Sequence, residues 1–245
     1  MRQAAYRLRS AGRWIAEALF PLCCASCGAM LGRRPDVGLP LCPACLASVV
    51  RVAEPWCSRC GLPLESPASR CPDCSRSLPG FDACRAVFVY AGAAKDLVLS
   101  LKHGAAFELA WPLGRLMAAT AVVTGLARVD LVVPVPVTPV RARVRGYNQA
   151  ALLARAVGKS LGVAAGMRAL RRVLDPGPQG HHSREERRAR VRGCFEVSRG
   201  AEVDGRRVLL IDDVVTTGAT ASECARVLKE AGASFVGVLA VARAA

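Results

Sequence analysis

Two adjacent carboxylates, Asp212 and Asp213, stand a short step before Thr216, Thr217, Gly218, Ala219 and Thr220. These residue types suit the two ends of a single ligand. Threonine hydroxyls and the amides of a glycine-containing turn ahead of a helix favour a phosphate, which the helix's positive end also attracts. Gly218 lets the backbone approach closely. The aspartates would repel that phosphate, and they suit sugar hydroxyls and a metal-bound water instead. A ribose carrying a 5-phosphate satisfies both groups, with its phosphate on residues 216–220 and its 2- and 3-hydroxyls on Asp212 and Asp213. The plainer reading is a strand-to-helix turn with threonine caps and surface acids. The full run VLLIDDVVTTGAT is more specific than a bare pair of aspartates, and it favours the ligand reading.

The second concentration of chemistry is sulfur. Eight of the twelve cysteines form four C-x-x-C pairs within about fifty residues: Cys24/Cys27, Cys42/Cys45, Cys57/Cys60 and Cys71/Cys74. Two thiolates on one knuckle supply half a tetrahedral shell, and a second knuckle supplies the rest, so the spacing predicts two structural Zn2+ sites of the ribbon type. Pairing within each ribbon is simplest, and crossed pairing of knuckles is equally compatible with the spacing. A disulfide scaffold would need an oxidising compartment. Cys23 rivals Cys24 as a ligand, though the C-x-x-C spacing favours Cys24. Cys84, Cys194 and Cys224 stand alone and read as buried small hydrophobes.

A further anion-binding loop is expected at residues 134–149. Arg141, Arg143 and Arg145 recur at period two, so an extended segment would point all three one way, toward a concentrated negative charge such as pyrophosphate. The residues after Pro134 and Pro136 would be held in restricted turns that aim the amides of Val135 and Val137 at the same anion, with Pro136 between them in the ligand-binding loop. Asn148 is placed to cap a helix running to residue 161. Residues 175–192 read as a Pro/Gly-rich lid backed by a basic helix, with Ser183 and Glu186 as a capping box and Arg184, Arg188 and Arg192 on one face. His181 and His182 within it read as solvated.

The elements that must hold these groups alternate. The run 208–211 reads as a buried strand, with the acids after it and a helix over 221–230. Strands are expected at 85–90 and 130–133, and helices at 94–102, ending near Gly104, and at 107–127. This alternation argues for an α/β fold with a mostly parallel sheet, after a boundary at Pro79-Gly80. An amphipathic helix over 6–20, carrying Trp14 and Ile15, would pack against the ribbons.

Charge and length set the outer bounds. The chain's 245 residues suffice for one or two domains, and the formal net charge is +15. Thirty of its 34 cationic residues are arginine. Each zinc tetrathiolate carries two net negative charges, which leaves about +11 and a basic protein. No apolar run approaches the roughly 20 residues of a membrane span. Arg2, Arg7, Arg9 and Arg13 precede an apolar stretch, but Glu17 interrupts it and no small-residue cleavage site follows, which argues against export.

The run IDDVVTTGAT resembles the phosphoribosyl pyrophosphate (PRPP) motif of type I phosphoribosyltransferases. With the ribbons, the PGFD boundary, RGYNQA and PGPQ…SREERR all in order, the whole chain resembles the ComF family. The resemblance divides the chain into an N-terminal helix at 1–22, a double zinc ribbon at 23–78 and a phosphoribosyltransferase-like domain at 79–245. It implies PRPP held with Mg2+, Asp212 and Asp213 on the ribose, residues 216–220 on the 5-phosphate and residues 136–145 on pyrophosphate, with Lys102 in LKHG as a further ligand-binding residue. It also implies a cytoplasmic protein of DNA uptake and natural transformation, working with single-stranded DNA and a competence helicase. The chain departs from the family at Pro176, His182 and Arg190, where Thr, Leu and Asn are usual, which touches only the lid. Two further functions fit the same residues: a non-catalytic module that senses PRPP or a nucleotide while basic ribbons hold DNA, and a ribbon that braces the fold and docks a protein partner.

Overall fold

A computed structural model describes residues 22–32, 38–67, 69–104, 106–174 and 184–244. The helix expected at 6–20 lies outside those residues, as do His181, His182, Ser183 and the rest of the loop at 175–183.

Apolar runs that are buried on both sides build the sheet. Strands β1 (Ala83–Val89), β2 (Leu131–Pro134), β5 (Arg207–Val215) and β6 (Phe235–Arg243) form one parallel sheet in the order β1-β6-β5-β2. Near-continuous hydrophobic strands are what a parallel sheet covered on both faces requires. Two short strands, β3 (Leu170–Arg172) and β4 (Phe195–Val197), pair antiparallel outside it.

Leu209, Ile211, Leu239 and Val241 pack on one face against helices α3 (Gly92–His103), α4 (Ala110–Val123) and α6 (Gln149–Leu161), through Leu97, Leu101, Met117 and Leu153. Val208, Leu210, Val236 and Val238 pack on the other against α8 (Ala219–Glu230), through Cys224, Ala225 and Leu228. Each such side chain contributes about 1.5–3 kcal/mol on burial. The isolated cysteines Cys84, Cys194 and Cys224 are all core residues, as expected.

Several boundaries follow local chemistry. The Oδ1 of Asn148 accepts from the Ala150 amide at 2.9 Å and starts α6, which ends at left-handed Gly162. Helix α3 ends at Gly104. The long helix expected at 107–127 is shorter: a 3-10 turn, Phe107–Leu109, leads into α4, which stops at Val123. It stops because the Leu126 and Ala127 amides both fold back onto the Ala121 carbonyl, at 2.8 and 3.1 Å.

The double ribbon is divided between the two faces. Its first half contains α1 (Pro43–Ala47) and adds Leu39 and Leu41 to the α3–α4 side; its second half contains α2 (Pro72–Arg76) and buries its cysteines on the α8 side. Between the halves, Arg51 bridges Phe88 antiparallel, with Val52 donating to the Val87 carbonyl and Val89 to the Val50 carbonyl, so the outer edge of β1 is covered. The Pro79-Gly80 turn is pinned: the Gly80 amide donates to Ser222 Oγ at 2.8 Å, and a Cβ there would meet the Ser222 carbonyl oxygen at 2.6 Å.

Candidate ligand site and zinc centres

The strand carrying the acids runs further than its neighbour. Asp212 and Asp213 were expected in a loop after residue 211, but β5 continues through them to Val215, held by β6 in register (Asp212 opposite Ala240, Val215 opposite Arg243). On its other side β2 ends at Pro134, opposite Ile211. The aspartates therefore lie beyond the last residue of β2, at the carboxyl end of the sheet, the end at which ligands of open α/β folds bind.

Successive side chains of a strand point to opposite faces, so the two acids are separated. Asp213 is 3% exposed and faces α3 and α6, where Lys102 Nζ lies 3.0 Å from Oδ1 and Gln149 Nε2 donates to Oδ2 at 2.7 Å. Arg145 extends this network by donating to Gln149 Oε1 at 3.4 Å. Asp212 is half-buried on the α8 side, and its Oδ1 accepts from the Asp213 amide at 2.8 Å. Burial, then the neighbouring Asp213 charge, push its carboxyl up to about 7 against the opposing pull of Lys102.

The turn after β5 leads through a left-handed glycine into the start of a helix. Thr216 is exposed and Thr217 and Gly218 are half-buried; Gly218 is left-handed (φ 75) and caps α8, whose first-turn amides lack helical acceptors. The Ala219 amide turns onto Thr217 Oγ1 at 3.3 Å. Phe81 backs the turn at 3.5 Å from where a Gly218 Cβ would stand. Thr220 is half-buried in the first turn of α8.

The expected pyrophosphate loop is built differently. Residues 139–145 form a helix, α5 (Pro139–Arg145), not an extended segment, so position 143 falls on the side opposite 141 and 145. Pro139 has the backbone angle of a first helical residue, and the Thr138 carbonyl accepts from the Ala142 amide at 2.9 Å. Arg143 is exposed and Arg145 half-buried. Val135 is corrected too: its amide donates to the Ile211 carbonyl at 2.9 Å and its side chain is core, so it extends the sheet instead of facing an anion. Pro136 and Val137 are half-buried beyond it. Helix α7 (Arg184–Val191) stops before Arg192, and Arg188 reaches Ser77 Oγ of the second ribbon at 3.2 Å. Another concavity, lined by Leu131, Arg168, Ala169, Gly200 and Arg206, lies at the opposite end of β2.

Sequence reading missed two residues here. Gln149 was visible as a polar residue at the start of an otherwise apolar helix face. Arg243 was visible as the one charge in FVGVLAVAR.

The cysteines pair within each ribbon. Cys24, Cys27, Cys42 and Cys45 form one set and Cys57, Cys60, Cys71 and Cys74 the other, with the sulfurs of each set within 4.8 Å of one another. The Cys27–Cys42 and Cys60–Cys71 sulfur separations are 3.8 and 3.7 Å. A tetrahedron with Zn–S bonds of about 2.3 Å has edges near 3.8 Å, so both sets fit structural zinc. Cys23 lies outside the first set and is exposed. Burial raises the Cys24 and Cys57 thiols, but nearby amides outweigh it and hold both at about 6. One of these is the Cys42 amide, 3.3 Å from Cys24 Sγ.

Zinc ribbons docked on a phosphoribosyltransferase-type α/β domain define the class, and comparison with known proteins agrees. A double zinc ribbon domain matches residues 15–86 and a phosphoribosyl transferase domain residues 147–245. The DNA utilization protein YhgH of Salmonella typhimurium is 32% identical over 207 residues, covering 83% of this chain and 90% of that protein. Competence protein F of Haemophilus influenzae is 29% identical with the same coverage. The chain belongs to this ComF family. A 54-residue stretch, 22% of this chain and 27% of the relative, is 46% identical to an orotate phosphoribosyltransferase of Sulfurimonas denitrificans. Among solved structures, the glutamine PRPP amidotransferase of B. subtilis aligns over 51% of this chain and 24% of its own, at 26% identity and a TM-score of 0.36.

Proposed function

We propose that the carboxyl end of β5 and the turn after it bind PRPP and transfer its phosphoribosyl group. The observation that supports this is the overrun of β5 past β2, which carries the chain from the half-buried Asp212 directly into the glycine-capped turn at 216–218. The 5-phosphate would take the amides and hydroxyls of residues 216–220. Asp212 would accept from the ribose hydroxyls, and Asp213, already paired with Lys102 and Gln149, would fix the strand end and the polar floor beneath the sugar. Arg145 and position 141, on one side of α5, supply charge for pyrophosphate.

Magnesium prefers hard oxygens and retains water, and Asp212 is the residue that would hold its water shell. When bound, the ion would neutralise charge on the departing pyrophosphate. The protein's contribution is positioning and preorganised electrostatics. The names of the Salmonella and Haemophilus relatives, a DNA utilization protein and a competence protein, support a role in DNA handling, which we extend to DNA uptake in the cytoplasm, and the basic net charge supports contact with single-stranded DNA.

Calorimetric titration of PRPP with Mg2+ into wild type and Asp212→Asn tests the site, with binding expected in the first and at least about tenfold weaker in the second. No heat with wild type would sink it. Pyrophosphate release with a panel of bases then separates transfer from a purely sensing role. DNA contact predicts an affinity that falls steeply with salt; a flat response would remove it.

A further inference from the structure

Arg243 ends β6 and is 1% exposed. Its Nη1 donates to the Val215 carbonyl at 3.1 Å and also to the carbonyl of Thr216, the first residue of the candidate phosphate turn. Its Nε donates to the Cys60 carbonyl at 3.1 Å, and Nη2 lies 3.9 Å from Cys60 Sγ, a ligand of the second ribbon. Among the described residues its acceptors are carbonyls and this one sulfur, with no carboxylate pairing it. A buried guanidinium served only by neutral dipoles is costly; it needs a negative partner. A zinc tetrathiolate carries two net negative charges and would sit on the four sulfurs that include Cys60.

The ribbon is fixed firmly enough for that charge to matter. Gly61, left-handed at φ 65, lies so close to β1 that a Cβ would meet the Cys84 carbonyl oxygen at 2.4 Å. Arg59 lies 3.7 Å from Asp82, whose other contacts are Lys229 at 2.7 Å and the Val236 amide at 2.8 Å. These contacts seat the knuckle on the amino end of β1 and β6, and Arg243 is its link to residues 215 and 216 at the carboxyl end.

We infer that Arg243 is the counter-charge of the second zinc centre and, through the same guanidinium, the strut that shapes the phosphate turn, so that metal at this ribbon sets how well the turn holds an anion. The last clause rests on the phosphoribosyl reading; the coupling itself does not. Arg243 is a positioning residue, because it is buried and reaches the turn only through the carbonyls it holds.

The test uses the full chain with cadmium in both sites, observed by cadmium NMR, and the variants Arg243→Lys and Arg243→Met. Both should move the second-ribbon resonance and leave the first in place. Metal affinity of the second site should fall about 10- to 100-fold, as for loss of an outer-shell partner. Amide exchange at residues 216–218 should speed up. Lysine, which keeps the charge but cannot span sulfur and carbonyls together, should restore metal affinity more than turn protection. An unmoved second resonance with unchanged exchange at 216–218 would overturn the inference. Should both variants fail to fold, wild type suffices: saturating PRPP should shift the second cadmium resonance alone, and bound PRPP that moves neither or both would overturn it. Absence of PRPP binding by calorimetry would instead sink the functional reading, while the variants' cadmium and exchange readouts would still decide the coupling.

Discussion

The two ribbons share one ligand set and one spacing logic, yet they sit in different physical surroundings. All four cysteines of the second are buried in the core beside α8, whereas the first keeps Cys27 exposed and Cys42 and Cys45 half-exposed. Their attachments differ as well. The first packs the buried Cys24, Leu39 and Leu41 on the side of α3, the helix that carries Lys102, and adds part-buried polar contacts: Ser26 Oγ donates to Asp96 Oδ2 at 2.6 Å and Ser100 Oγ to the Ala25 carbonyl at 3.2 Å. The second is continuous with the core and reaches the turn after β5 through Arg243. Identical metal chemistry can thus sit at a half-exposed edge of the core in one place and wholly within it in another.

Breaking each centre in turn should give the largest contrast. Cys71→Ser removes a ligand from the buried set, and since binding energy at structural zinc sites is folding energy of about 10 kcal/mol or more, the variant should lose cooperative unfolding. Cys27→Ser should leave a folded protein with one firmly held zinc, seen by metal analysis and calorimetric melting. Similar melts for both would erase the distinction.

Acid–base behaviour sharpens it next. Asp212 lies on the second ribbon's side of the sheet, and its folded value of about 7 lies above the ordinary 3.8. The folded state therefore holds more protons between those values, so stability is greatest at low pH and falls as pH rises toward 7. Asp212→Asn should abolish that slope and stabilise the protein by about 3 kcal/mol at pH 8, measured by urea unfolding across pH. A wild-type slope of the opposite sign would contradict the burial argument. Ligand affinity should run the other way and rise with pH through 7, because ribose hydroxyls need the ionised carboxylate.

On the first ribbon's side the charges are paired, and removing one partner is the informative change. Lys102→Met leaves Asp213 buried with only Gln149 and should cost about 3 kcal/mol in denaturant unfolding. The smallest effect is expected for Ser26→Ala, which loses one partly exposed hydrogen bond and about 1 kcal/mol, with zinc content unchanged. A larger loss there would mean that the first ribbon is as integral as the second.

Local features were legible in the sequence. The strand, turn and helix over 208–230, the Asn148 cap and the four cysteine knuckles each depend on residues within a few positions of one another, where spacing carries the information. The arginines of 141–145 misled because period two is an extended-chain signal only if the backbone is extended, and Pro139 after Thr138 starts a helix. Val135 misled because a proline-flanked amide looks free until Ile211 is placed opposite it. Gln149 and Arg243 act across the chain, the latter on a residue 183 positions away. No local pattern announces such a contact.

The short bridge between Arg51 and Phe88 has its own consequence. It makes the ribbons a guard on the flank of the sheet, and β1 without that guard would offer a bare row of amides and carbonyls to any other extended chain. Stripping the metal would therefore threaten solubility as well as chemistry: a chelated sample should clump through strand-to-strand recruitment, and zinc kept in the buffer should prevent it.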